Sequence, residues 1–390
     1  MNIIEYAQIN GIYDFSEKEF NVVDSLILSQ LSYLKFDEIV PGPSANIDGI
    51  KLIDVGNHEK RATLFRDERY ADINGKFLDA LCNSKRFGRL ILNNFIDVID
   101  EILDIQFSAM TVSDENGFNY VVFRGTDDSV VGWKEDLTMT FKAPVPAQKY
   151  SLEYLKKVAK RIEGNFYVGG HSKGGNLAVY SAMSCSDELR DRIIHVFSHD
   201  GPGFRTELLI HSDYEKIKDK ITKLIPKAAV VGMMGNVEKY EVVECEKISV
   251  MQHNPYNWIV DGFDFRRAEH IDSYSSFKAD VLSMWAAEMD DEKWQKLTDW
   301  IFGIASDAGI TNLNDLNEDK IKTLKQIVDV AGKTDNAFKE EIKDILGLFT
   351  GSVGILAREG VKEGMLNVEH TLMHAKDNTI ERIKGKINED

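Results

Sequence analysis

Cysteine is scarce in this sequence. Only Cys82, Cys185 and Cys245 occur in 390 residues, far apart and without a C-x-x-C pair. That argues against a disulfide scaffold and a zinc knuckle, and it suits a reducing compartment. Basic residues are outnumbered, 47 Lys and Arg against 64 Asp and Glu, for a formal net charge of -17. Phosphate binding wants clustered cations, so nucleic acid is not the expected partner. No apolar run reaches the ~20 residues that span a bilayer. The opening, MNIIEYAQINGIYDF, has neither a basic n-region nor an apolar h-region, so it does not read as a secretory signal. The expected location is cytoplasmic.

What is present is enough apolar material, 43 % of residues, for a sizeable core. The length suits two or three domains, or one large domain with an appendage. Near the start, residues 20–22 read as extended and 23–34 carry apolar groups at helical spacing. Residues 35–60 read as loop. Two helices are expected next, the better one from Phe87 to Ile105. The period then changes. Strands are expected at 105–114 and 118–125, a helix at 151–162, a strand at 164–170, a helix at 174–185 and a strand from 193. A helix at 211–222, a strand at 229–234 and one or two strands within 239–253 follow. This alternation predicts an α/β layered domain with parallel strands in the middle of its sheet. Beyond about residue 270 the strand signal stops and amphipathic helices take over. The expected division is an α/β domain over 1–270 and a helical region over 271–390. No internal repeat stands out.

The densest chemical signal is "VGGHSKGG", residues 168–175, which fits G-x-S-x-G around Ser172. The pattern is common by chance, but its setting is informative. "NFYVGG" supplies a strand before the serine and "GGNLAVYSAM" a helix after it, the context of a nucleophile elbow. The alternative is a glycine-rich structural bend. At an elbow the Lys173 N–H, opening the helix, faces the anion that forms in acyl transfer. A serine needs a base, and this architecture orders its triad as Ser, then acid, then His. Asp200 in "VFSHDGPGF" is the candidate acid; an Asx turn is the plainer reading. His253 in "ISVMQHNPYNW" is the candidate base, with His270 the other loop histidine that fits the order. His171 is expected to support the pocket, and His199 to point away from it. A second oxyanion donor is offered by Thr126, just past the strand "NYVVFRG". Arg124 is expected to brace that turn through Asp127, Asp128 or Asp136. Asp127-Asp128 lacks further metal ligands. Trp133 is expected to plug the core beneath the loop.

"VVFRGTDDSVVGWKEDL" followed by "VGGHSKGGNLAVYSA" is similar to the class 3, fungal-type triacylglycerol lipases, which carry an F-R-G-[ST] loop, then Trp and Asp, then a G-H-S-x-G-G elbow. A bacterial branch of lipase-like hydrolases, known as a domain of unknown function, is closer. Its members resemble this chain also in "YDFSEKEFNVVDSLILSQLSYL", "FSHDGPGF" and "QHNPYNW". The resemblance spans about residues 1–270. It implies an α/β-hydrolase fold, a central mostly parallel sheet with a helical C-terminal extension, and a serine esterase or lipase-like activity. It maps Ser172 onto the nucleophile and Thr126 and Lys173 onto the oxyanion donors. Two departures stand out. The family's acid lies one strand later, where "KAAVVGMMGN" has no Asp, and Lys173 replaces the usual Leu.

The expected reaction needs no cofactor and no metal. The expected substrate is a small-molecule or lipid ester. An amidase or peptidase on the same fold, and a non-catalytic scaffold acting through its tail, are the alternatives. Residues 138–150 read as a lid or a surface loop. The tail is a candidate for packing on the core, for homo-oligomer formation or for peripheral membrane contact. The apolar run Ile345 to Ala357 is too short and glycine-rich to span. His370 and His374 share a helix face but lack the H-E-x-x-H pattern.

Overall fold

The computed structural model describes residues 1–307 except 46–47, 67–69, 101, 128, 140–141, 211–212, 236–238, 248 and 273–288. Asp128, Phe141, His211, the run Ile345 to Ala357, His370 and His374 therefore lie outside the described residues.

Helices α1 (Ile3–Ile9) and α2 (Val22–Leu31) open the chain, each with an Asn capping box, Asn2 with Glu5 and Asn21 with Asp24. The expected extended stretch 20–22 thus shrinks to the cap of α2. Within the stretch that reads as loop, β1 (Ile50–Lys51) and α3 (Leu52–Gly56) form. Helix α4 (Ala71–Cys82) and strands β2 (Ile91–Asp100), β3 (Ile105–Ser113) and β4 (Asn119–Phe123) follow. Next come α5 (Val130–Thr138), α6 (Pro146–Ala159), β5 (Phe166–His171), α7 (Lys173–Ser184), α8 (Asp187–Asp191) and β6 (Ile193–His199). The order continues with α9 (Thr206–Ile210), β7 (Ile221–Pro226), β8 (Glu241–Val243), the hairpin β9 (Val260–Asp261) and β10 (Asp264–Phe265), and β11 (Arg267–Ala268).

Nine of these strands form one mixed sheet in the order β1-β2-β3-β4-β5-β6-β7-β8-β11. β1 to β4 pair antiparallel, β4 to β8 pair parallel, and β11 closes the edge antiparallel to β8. The α/β reading with parallel central strands holds. Strand alternation splits the core between two faces. In β4, Tyr120 and Val122 pack with α1, α2 and α4, while Val121 and Phe123 pack with α6 and α7.

Three of the expected elements are replaced by others. The helix expected over 87–105 is strand β2. Its register shifts between Asn93 and Ile96, and Asn94 takes φ 54°. This bulge flips the side-chain parity. Leu92 faces one core before it, and Ile96 and Val98 face the other after it. Apolar residues out of phase across a bulge mimic helical spacing. The helix expected over 211–222 is replaced by two short 3-10 turns, Tyr214–Lys216 and Lys218–Lys220, and then β7. The strand expected at 229–234 is a 3-10 turn, Val231–Met233.

The "YDFSEKEF" stretch wraps a buried cation. Arg86 donates to both Asp24 oxygens, at 2.7 and 2.5 Å, and to the carbonyls of Tyr13, Asp14, Lys18 and Glu19. One guanidinium satisfies a whole loop that lacks regular structure. The helix Asp291–Asp307, within the region expected to be helical, packs on α5. Asp291 pairs with Arg205 at 3.0 Å and Asp299 approaches Lys134 at 3.7 Å. No helix among the described residues is long and apolar enough to cross a membrane.

Candidate active site

The site lies at the carboxyl ends of three consecutive parallel strands, where open α/β sheets place their ligands. Thr126 follows β4, Ser172 follows β5 and Asp200 follows β6. Ser172 has φ 58° and ψ -132°, a backbone conformation that a serine occupies only under local constraint. Its amide donates to the His199 carbonyl at 2.8 Å, and its carbonyl accepts from Gly175 at 2.9 Å. A Cβ on Gly170 would collide with Gly174 and the Phe123 carbonyl, and one on Gly174 would collide with that same carbonyl. Both motif glycines are thus explained by three backbones meeting under the serine.

Asp200 is 1 % exposed, also with positive φ, 48°. Its Oδ1 accepts the Gly232 amide at 3.0 Å, and its Oδ2 accepts Nδ1–H of His253 at 2.5 Å. Gly232 belongs to "KAAVVGMMGN". The loop without an aspartate supplies an N–H to the aspartate one strand earlier, and a Cβ at Gly232 would strike Asp200 Oδ1. The Asp200 bond fixes the His253 tautomer and leaves Nε2 as the basic nitrogen. His253 ends a 3-10 turn, Ser249–His253, not the strand expected from its sequence. Ser172, Asp200 and His253 all line one cavity. The Ser172 hydroxyl itself makes no hydrogen bond with a described residue.

The "QHNPYNW" segment is a frame for that imidazole. Gln252 accepts from Ala228 N at 2.6 Å and donates to the Lys247 carbonyl at 2.7 Å. Buried Trp258 donates to the Gln252 carbonyl at 2.8 Å, and Tyr256 donates to Asn74 at 2.6 Å. His171 closes the frame, as its expected pocket role requires. Its Nε2 donates to the His253 carbonyl at 2.9 Å, its Nδ1 accepts from Tyr33 at 3.0 Å, and its ring lies 4.6 Å from the His253 ring. Burial holds the His171 imidazole well below its usual range, so it stays neutral. His199 points to the opposite face, where Nε2 bonds Ser25 and burial pushes its pKa down to about 3.

Of the two expected oxyanion donors, Lys173 opens α7, so its amide has no carbonyl to serve within the helix. Thr126 lines the cavity, and its Oγ1 donates to Asp136 Oδ2 at 2.5 Å. Burial raises Asp136 to about 6, with Lys173 and the Thr126 hydrogen bond pulling it down. Arg124 braces the turn as expected, through Asp127 at 3.2 Å. Its main partner is Asp97, held by two bonds of 2.6 and 2.8 Å. Asp97 escaped the sequence reading because β2 was read as helix. Glu135 was also missed. It is the buried counter-charge of Lys173, at 3.1 Å. A lysine beside a buried elbow demands such a partner, which was the available signal.

A family model described as Mbeg1-like matches residues 81–303, more than half of the chain. The chain belongs to the Mbeg1-like family. This family is lipase-like. Similar solved structures include a Rhizomucor miehei lipase propeptide complex, at 16 % identity over 44 % of this chain and 59 % of that one, TM-score 0.30. Others are an MDLA mutant from Penicillium cyclopium (13 %, 62 % and 82 %, TM-score 0.36) and a fungal lipase (15 %, 64 % and 86 %, TM-score 0.38). The chain thus spans 59 % of the length of the Rhizomucor lipase. Likeness at this level assigns neither residues nor substrate. No curated protein matches the chain.

The cavity of this Mbeg1-like chain has a volume of about 850 Å³ and a lining of mixed character. Gln30, Tyr33, Lys35, Tyr70 and Asn74, from the N-terminal segment, contribute polar groups. Trp133 and Leu137 of α5, Met139, Phe204, Val230, Val231, Met234 and Phe302 contribute apolar ones. Trp133 is therefore no core plug; it is 45 % exposed and lines the cavity. Of the lid candidate 138–150, Met139 lines the cavity, while residues from Pro146 begin α6. His270 is exposed and does not line the cavity. No metal-binding cluster occurs among the described residues.

Proposed function

We propose that this protein is a serine-dependent hydrolase of carboxylic esters with an apolar acyl group, on an α/β-hydrolase-type fold. One observation carries the reading: a serine in a left-handed turn shares a cavity with an imidazole whose far nitrogen is bonded to a buried carboxylate. In the proposed reaction His253 Nε2 takes the Ser172 proton as Oγ attacks the ester carbonyl. The Lys173 and Thr126 amides receive the oxyanion. The tetrahedral intermediate collapses, and His253 gives its proton to the departing alcohol. Water, deprotonated by the same imidazole, then releases the acid. Asp200 steadies the imidazolium in both halves. Catalytic hydrogen bonds such as Ser172–His253 tighten in the Michaelis complex, so the serine's present lack of a described partner is compatible with this role. The apolar lining side chains suit an acyl chain.

Hydrolysis of p-nitrophenyl esters of graded acyl length tests the reading. Turnover by the wild type and none by Ser172→Ala is the expected result. Turnover of matched anilides with no ester hydrolysis would replace it with an amidase.

A further inference from the structure

We propose that the Lys173 side chain is a positioning residue that holds both oxyanion donors in register. The inference rests on the proposed ester hydrolysis. Lys173 is the residue after the nucleophile, and its amide is one donor. Its side chain is buried, 1 % exposed. Nζ donates to the Gln106 carbonyl of β3 at 2.9 Å and to Glu135 Oε2 of α5 at 3.1 Å. Glu135 Oε2 also accepts from Gln106 N at 3.1 Å, and Oε1 accepts from Ala147 N of α6 at 2.8 Å. One buried carboxylate thus ties β3, α5, α6 and α7 together, and Lys173 is its only cation among the described residues. The next residue of α5 is Asp136, which holds Thr126, the other donor, by its hydroxyl.

The same ammonium lies 3.8 Å from Asp136 Oδ1, an oxygen with no hydrogen-bond partner among the described residues. The groups acting on Asp136 are Lys173 from α7, Thr126 from the loop, its neighbour Glu135 and His253 from the 3-10 turn after β8. Lys173 is the strongest of these in favouring the carboxylate, and Glu135 opposes it. Without the ammonium, two adjacent carboxylates would share one buried space. Asp136 would then take up a proton near neutral pH and stop being an ionised acceptor for Thr126. A leucine at position 173 could supply the amide but neither the tie nor the charge.

The test is a double-mutant cycle on p-nitrophenyl butyrate hydrolysis. Lys173→Met alone strands Glu135 as an unpaired buried charge and endangers the fold. The probe is therefore Lys173→Met/Glu135→Gln, measured alone and combined with Asp136→Asn, with folding checked by thermal melts. The double variant should lose about 10- to 100-fold in kcat with KM unchanged, part of what one oxyanion donor is worth. That loss should shrink several-fold in the Asp136→Asn background, where Thr126 is already released. A kcat loss that adds fully to that of Asp136→Asn, or unchanged kcat in a less stable protein, overturns the role. Absence of Ser172-dependent turnover in the wild type is a separate outcome, which removes the proposed function and this role with it.

Discussion

The serine turn and the Thr126 loop end neighbouring strands, yet different forces hold them. The turn is held by main chain. Gly170, Gly174 and the Phe123 carbonyl meet at close range, and Ser172 is anchored through amide and carbonyl. The loop is held by side-chain charge: Arg124 on Asp97 and Asp127, Lys173 on Glu135, Thr126 on Asp136. A backbone support is indifferent to pH and intolerant of added atoms. A charge support tolerates shape but depends on each partner and on protonation. The reaction proposed here needs both a fixed nucleophile and a fixed anion cradle, and the two modes of support supply them separately.

Several substitutions would break or sharpen this contrast. The largest effect is expected at Asp200→Asn, which should lower kcat by about 10^4-fold while leaving the melting temperature nearly unchanged. A small kcat effect would detach Asp200 from the turn's chemistry. Gly174→Ala should be lost as a folded protein, at a cost above about 4 kcal/mol, because the clash is with backbone. Denaturant melts or a failure to obtain soluble protein would report it. Arg124→Met should fold but lose about 3 kcal/mol, since it leaves Asp97 and Asp127 with Lys35, at 3.6 and 3.8 Å, as their remaining cation among the described residues. If the glycine change were the milder one, the contrast would be reversed.

The smallest expected effect concerns pH, and its sign differs between the two regions. His199, behind the turn, has a folded pKa of about 3, below the usual imidazole value. Between about pH 3 and 6.5 the unfolded chain binds its proton and the native state does not, so this group makes stability fall on acidification. Asp136, under the loop, has a folded pKa of about 6. Between about pH 4 and 6 the native state binds the proton and the unfolded chain does not, so this group makes stability rise on acidification. Urea midpoints measured from pH 4 to 7 should therefore show a flatter profile in His199→Gln and a steeper acid loss in Asp136→Asn.

The legible parts of the molecule were those written in local sequence. The elbow showed in G-x-S-x-G because close backbone packing demands glycine at fixed spacing, and the parallel strands showed in continuous apolar runs. Asp200 and His253 could be picked by order and setting, and the structure joins them. The parts that were not legible depend on long-range pairing. The bulge at Asn94 hid β2 and with it Asp97, the main partner of Arg124. Trp133 reads as a core residue in isolation, yet α5 turns it into the cavity. Lys173 beside a buried elbow calls for some buried carboxylate, but that it is Glu135 follows only from the packing of α5.

The most direct test of the serine's role is reaction with a fluorophosphonate followed by mass spectrometry of the modified peptide. One adduct per chain on Ser172, absent in Ser172→Ala and slower to form in Asp200→Asn, is the expected result. Full-length folded protein that stays unmodified, or that carries its adduct on another residue, would contradict a nucleophilic Ser172.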